Sequence, residues 1–155
     1  MRNTIPLMFA ALAACAKPAA KTTPAAADPD ADALTHTWLV AEHLRVKGAS
    51  ISEADANGFH GRTLVIVPNG FASPWQPACE KSKREKRARG MSELFAELEL
   101  EGGATKAAEF GMTSDILEFR LTCAGRDTPL IVWVGGKHAM TCFGGACYLL
   151  KRFED

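Results

Sequence analysis

The stretch from residue 115 to residue 153 constrains the fold of this 155-residue chain more than any other. Over residues 115–123 the side chains Leu117, Phe119, Leu121 and Cys123 alternate with Glu118, Arg120 and Thr122. A period of two places one face of a strand in a core and the other in solvent. Gly125-Arg126-Asp127 with Pro129 supplies a turn, and residues 130–134 (LIVWV) form a continuous apolar strand. Gly135-Gly136 fits a two-residue hairpin turn. Residues 137–143 return, a loop around Gly144-Gly145 follows, and residues 147–153 make the last strand. Four consecutive strands joined by tight turns form an antiparallel meander.

Upstream, residues 37–46 place Trp38, Val40, Leu44 and Val46 on one face, with Glu42 the exception on that face. A carboxylate there must be paired or neutralised: it either orients a ligand or, the favoured reading, pairs with Arg120 or Lys151 at a barrel mouth. Residues 62–67 (RTLVIV) are another strand. Residues 52–57 read as a short helix with Ser50 and Glu53 as a capping box, stopped at Gly58. Residues 92–100 read as a second, N-capped by Ser92 and ended by Gly102-Gly103. Residues 78–89 fit either a strand or a charged helix. The fold expected is mainly β: a small antiparallel β-barrel or curled meander sheet with one or two short helices.

The N-terminus has a different character. Residues 1–15 read MRNTIPLMFAALAAC, with Arg2 as a minimal basic start and an apolar stretch of ten residues after it. Ten helical residues span roughly 15 Å, about half a bilayer core, so the stretch is a signal segment and not a membrane span. Leu12-Ala13-Ala14-Cys15 resembles the lipobox of bacterial lipoproteins. The resemblance implies cleavage before Cys15 and acylation of its sulfur and of the new amino group, which together give a stable anchor. By the same resemblance Ala16, where an Asp would retain the protein at the inner membrane, favours an outer-membrane lipoprotein facing the periplasm. The expected organisation is a signal peptide over 1–14, a lipidated cysteine and tether over 15–33, and one domain over 34–155. The tether holds eight Ala and three Pro and no large apolar residue, too little to offset the entropy of ordering it.

With Cys15 carrying lipid, Cys79, Cys123, Cys142 and Cys147 remain. Cys142 and Cys147 flank Phe143-Gly144-Gly145-Ala146, read as a four-residue hairpin loop that sets them opposite each other. Cys79 is then left with Cys123, closing a longer loop. The alternative is that one pair stays reduced and binds something.

The arrangement looks like the lipocalin-like small barrels of many bacterial lipoproteins, including META-type and lysozyme-inhibitor-type domains, in architecture only. The Ser-Gly-Cys-Asn stretch associated with META domains is absent. Cys79, Cys123 and the closing Gly-Ala-Cys-Tyr-Leu-Leu-Lys-Arg strand also resemble uncharacterised proteobacterial envelope lipoproteins, a likeness that carries no catalytic residues.

Total charge is balanced, 18 Lys and Arg against 18 Asp and Glu, so nothing global points to nucleic acid, and none is expected as a partner. Locally, residues 81–89 (KSKREKRAR) concentrate Lys81, Lys83, Arg84, Lys86, Arg87 and Arg89. Such a run engages an acidic protein or an anionic envelope lipid, or serves as a solvated edge strand whose charges discourage pairing. Trp75 reads as an exposed loop aromatic, either an interaction anchor or a lid over the barrel end. His138, Met140 and Cys142 alternate on one strand, a soft-ligand set for Cu(I) if the thiols were reduced. A disulfide over an apolar patch, with Met140 near Leu149 and Ile131 and His138 near Trp133 and Lys151, is the better reading. His36, His43 and His60 share no ligand spacing and read as surface residues. No metal or cofactor is expected.

No nucleophile elbow, zinc-protease or P-loop motif occurs in the chain. The expectation is a lipid-anchored, non-enzymatic binding module, either a protein-binding accessory or an inhibitor. A lipocalin-like carrier holding a small apolar ligand inside the barrel is the alternative.

Overall fold

The computed structural model describes residues 33–100 and 102–154. The signal segment, Cys15 and residues 16–32 of the tether lie outside the described residues. Among the described residues eight strands form one antiparallel sheet: β1 (Thr37–Arg45), β2 (Thr63–Val67), β3 (Gly70–Ala72), β4 (Ser82–Gly90), β5 (Asp115–Cys123), β6 (Leu130–Gly135), β7 (His138–Phe143) and β8 (Ala146–Arg152). Three helices accompany them: α1 (Glu53–Asn57), α2 (Met91–Leu98) and α3 (Gly103–Phe110). The strand order is β3-β2-β1-β8-β7-β6-β5-β4. The sheet curls until its two edges meet, where the Ser82 N–H donates to the Asn69 carbonyl at 2.8 Å. The protein is a nearly closed, mainly β barrel, as the alternation and turn spacing predict.

The β5–β8 meander is present, with two adjustments of register. The β6–β7 turn is Gly136-Lys137 and not Gly135-Gly136, because Gly135 pairs with His138. Moving the turn by one residue slides the pairing by two, which preserves the face. Met140 therefore opposes Trp133 rather than Ile131, and His138 opposes Gly135 rather than Trp133. The expected neighbours across β8, Leu149 for Met140 and Lys151 for His138, are present. The loop between the last two strands is also tighter than read, since Phe143 pairs with Ala146 and only Gly144-Gly145 turn. Both have positive φ, 61° and 91°, as a type I′ turn requires.

The sheet is buried on both sides. Trp38, Leu64, Ile66, Phe119, Leu121, Val132, Tyr148 and Leu150 fill the enclosed face and are at most 2 % exposed. On the outer face Ile116, Trp133, Met140 and Leu149 pack under α2 and α3. Helix α2 presents Met91, Leu94, Phe95 and Leu98, the i, i+3, i+4, i+7 stripe of an amphipathic helix. Its N-cap is Gly90, with no side-chain cap, and its C-cap is Glu99 in the left-handed region at φ 47°, so neither Ser92 nor Gly102 plays the expected part. Helix α3 is absent from the sequence reading, which stops at the Gly102-Gly103 pair. It buries Ala107 and ends on Gly111 at φ 103°. Helix α1 is capped by Ser52, whose Oγ accepts from the Asp55 N–H at 3.1 Å, and not by Ser50.

A bulge in β1 corrects the reading of Glu42. The pairing with β8 slips between Val40 and Glu42, so Ala41 is the extra residue and the strand changes faces there. Trp38 and Val40 point into the barrel, whereas Leu44 joins the outer core. Glu42 is exposed, and its expected pairing with Arg120 or Lys151 is not among its contacts.

Candidate functional site

The basic run becomes β4, an edge strand, and the structure divides its six cations. Arg87 donates from Nε and Nη2 to the Glu118 carboxylate at 2.7 and 3.1 Å. Arg89, its side chain 5 % exposed, donates to Glu118 and to Glu93 and Glu97 of α2. Trp133 Nε1 completes the Glu118 shell at 2.9 Å. Burial alone pushes the Glu118 carboxyl up, but the donors Arg87, Trp133 and Arg89 outweigh it and hold it below the usual carboxylate range. The hydrogen bond that Arg89 donates to Glu97 holds its guanidinium above its ordinary value. Arg84 donates to the carbonyls of Val67 and Pro68 at 3.3 and 3.4 Å, closing the barrel seam. Arg84, Arg87 and Arg89 are thus structural. Lys86 is exposed and engaged in a further contact. Lys81 and Lys83 are exposed at the start of the strand.

The loop between β3 and β4 brings Trp75 to the same end of the barrel. The Ser73 hydroxyl accepts from the Trp75 and Gln76 N–H groups at 3.3 and 3.1 Å, folding the loop back on itself. Trp75 is not exposed. It is 8 % accessible, with its ring centroid 5.0 Å from Tyr148 and 5.9 Å from Phe59. It therefore plugs the barrel, and the expectation of an exposed aromatic gives way to the lid. Burial pushes the Tyr148 phenol up, against the nearby Trp75 indole N–H, which lies close without hydrogen-bond geometry.

Both disulfides form as paired from the sequence. Cys79–Cys123 ties the plug loop to the end of β5, and Cys142–Cys147 crosses the β7–β8 hairpin. Arg126 reinforces the first by donating to the Pro77 and Ala78 carbonyls at 2.6 and 2.8 Å. Gly70 makes this closure possible, because a Cβ there would collide with the Cys79 carbonyl oxygen. Cys142 and Met140 belong to the outer apolar core, as the disulfide-over-patch reading requires. His138 Nδ1 lies 3.1 Å from the Gly111 carbonyl.

Two concavities flank the β5–β6 turn and share Arg126 and Asp127. One, of about 360 Å³, is apolar, lined by Trp75, Pro77, Pro129, Leu130 and Phe143. Phe143 is 46 % exposed at its lip. The other, of about 450 Å³, holds Lys81, Lys83, Ser82 and Thr122, and the buried Ser82 Oγ has no hydrogen-bond partner. The sequence reading named Trp75 and the lysines but missed Phe143 and Arg126.

It also missed a cluster at the base of α1. His43 Nδ1 stands 3.0 Å from His60 Nε2, and His43 Nε2 stands 3.3 Å from Glu53 Oε2. The β1 bulge produces this contact by turning His43 toward the excursion between β1 and β2. Burial and then His43 hold His60 below its ordinary value, against Glu42 and Glu53. Seventeen residues separate the two histidines, too many for any spacing rule to join them.

The site and fold together define a small, disulfide-stapled barrel with a plugged end and a basic lip. No protein-family model, curated protein or solved structure matches the chain.

Proposed function

We propose that the chain is a non-enzymatic binding module of a bacterial cell envelope, anchored by lipid at Cys15 in the outer membrane and facing the periplasm. Its partner is an acidic protein, held at the rim where Trp75, Phe143, Lys81 and Lys83 converge. The observation that carries this reading is the filled interior. Trp38, Tyr148, Phe119 and Leu150 are fully buried where a carrier would hold its cargo, so recognition falls to the outside. The rim supplies what a protein interface uses, an apolar cleft for an anchoring side chain beside exposed cations that select acidic neighbours. A carrier with its ligand inside the barrel finds that interior occupied by side chains; a carrier reading is left only the rim cleft, whose volume of about 360 Å³ sits at the small end for ligand sites.

A photo-crosslinking residue at Phe143 in intact cells tests the proposal. The expected result is capture of one envelope protein, lost when Lys81→Glu and Lys83→Glu are added and absent when the probe stands at Glu109. Capture of phospholipid, or capture unaffected by the charge reversals, overturns the protein-partner reading. Co-purification of a stoichiometric apolar small molecule moves the reading to the carrier.

A further inference from the structure

We propose that His43 and His60 form a two-imidazole site for one divalent ion of the zinc and copper class, with Glu53 as the carboxylate that orients His43. The proposal is independent of the protein-binding rim, which lies around other residues.

The geometry carries it. Two imidazole nitrogens bound cis to one ion at about 2.0–2.1 Å stand roughly 2.8–3.4 Å apart. His43 Nδ1 and His60 Nε2 stand 3.0 Å apart in a hydrogen bond, so the pair already has that spacing, and the two rings need only turn from facing each other until both lone pairs converge on the ion. His43 is held from behind, because its other nitrogen faces Glu53 Oε2 at 3.3 Å. A ligating histidine whose second N–H donates to a carboxylate is the usual outer support of such sites. His43 is 7 % exposed in its side chain, whereas Glu53 is 64 % exposed. One ligand is thereby fixed and the site stays open to solvent. His60 is half-buried, and Glu42 and Glu53 act on its ring against the larger opposing effects of burial and His43.

The proton inventory balances. With Glu53 taking the His43 Nε2 proton in a hydrogen bond, His43 Nδ1 accepts from His60 Nε2–H. Binding requires that the His60 proton move from Nε2 to Nδ1 through solvent, which frees both lone pairs, and that the rings turn to aim them at the ion. Among the described residues no group of three His, Cys, Asp or Glu is arranged to hold a metal. Two imidazoles with water at the remaining positions therefore define the site. Imidazole selects zinc, nickel and copper over magnesium and calcium, with copper(II) the tightest.

The test is titration of the purified full chain with zinc(II) and copper(II) chloride, followed by calorimetry and by electron paramagnetic resonance of the copper form. The expected result is one ion per chain, with hyperfine structure from two nitrogens in the unsubstituted protein. His60→Gln should weaken binding at least about tenfold, and Glu53→Gln by about tenfold. His36→Gln and His138→Gln should leave it unchanged. Unaltered affinity in His60→Gln, a one-nitrogen spectrum, or no binding below millimolar ion overturns the site. Thermal melting of His60→Gln, a partly exposed position, separates lost binding from lost fold. The spectrum of the unsubstituted chain needs no variant.

Discussion

The carboxylate of Glu118 on β5 accepts the indole N–H of Trp133 on β6 at 2.9 Å, side by side on the outer face of the sheet. Glu118 sits 4 % exposed beneath α2, and the same carboxylate receives Arg87 and Arg89 from the edge strand. One acidic side chain thus joins β4, β5 and β6, and through Arg89 also α2.

Removing Glu118 leaves Arg89 buried with a changed partner set. Breaking a buried ion pair costs about 3–5 kcal/mol, and Arg89 keeps Glu93 and Glu97. Glu118→Ala should therefore fall near the low end, about 3 kcal/mol, in urea unfolding. Because the folded pKa of Glu118 is depressed, its stabilisation is fully present above the unfolded value of about 4.3 and is lost as pH falls through the folded value. Glu118→Gln should flatten the loss of stability between neutral pH and strongly acidic solution. An acid limb as steep as the parent's would show that other carboxylates set it.

The two disulfides should differ in worth. They close loops with sequence separations of 44 and 5, for which loop entropy gives about 4 and about 2 kcal/mol. Replacing Cys79 and Cys123 by Ala should lower unfolding free energy roughly twice as much as replacing Cys142 and Cys147, by about those amounts. Equal losses would mean that local packing, and not chain constraint, sets the contribution.

Tyr148 and Trp75 should behave in opposite ways despite their contact. The Tyr148 hydroxyl is buried without a hydrogen-bond partner, so Tyr148→Phe should be neutral or stabilising, within about 1 kcal/mol. Trp75→Ala empties the plug and should cost about 3–5 kcal/mol. A large loss in Tyr148→Phe would reveal an internal water or neighbour bound to that hydroxyl.

Membrane attachment should depend on one sulfur. Cys15→Ser should move the exported protein from the membrane pellet to the soluble fraction. Continued sedimentation with membranes, resistant to salt, would remove lipid from the account of Cys15.

Much of the fold was legible because its signals are local. The β5–β8 meander and the Cys142–Cys147 bridge follow from alternation and tight glycine turns within a few residues. Two adjacent glycines, however, allow more than one turn position, and only the pairing of Gly135 with His138 chooses between them. Glu118 was assigned to solvent by a pattern that is locally correct. Its carboxylate is enclosed by Arg87 and Arg89 of β4 and Trp133 of β6, with α2 joined through Arg89. Helix α3, resting on Ala107 and Phe110, follows a double glycine that reads as a stop. The basic run was visible as charge but not as architecture. Arg87 and Arg89 are absorbed by Glu118, about thirty positions downstream, so Lys81 and Lys83 are what the strand leaves for the proposed partner. The meeting of His43 with His60 depends on a bulge at Ala41 that alternation does not announce.

That bulge limits how the chain can vary in length. β1 is committed to both apolar layers, through Trp38 and Val40 on one side and Leu44 on the other. A one-residue deletion at Ala41 would set Val40 and Glu42 against the consecutive partners Leu150 and Leu149, a regular ladder that keeps His43 and Leu44 on their present faces, whereas a regular strand of unchanged length would exchange them. The 46–62 excursion has surface on which to gain or lose residues, as surface connections generally tolerate. In β1 the interval between Val40 and Leu44 tolerates two lengths, the present one with its bulge or one residue fewer without it, so related chains should show one or the other and not a regular strand of the present length.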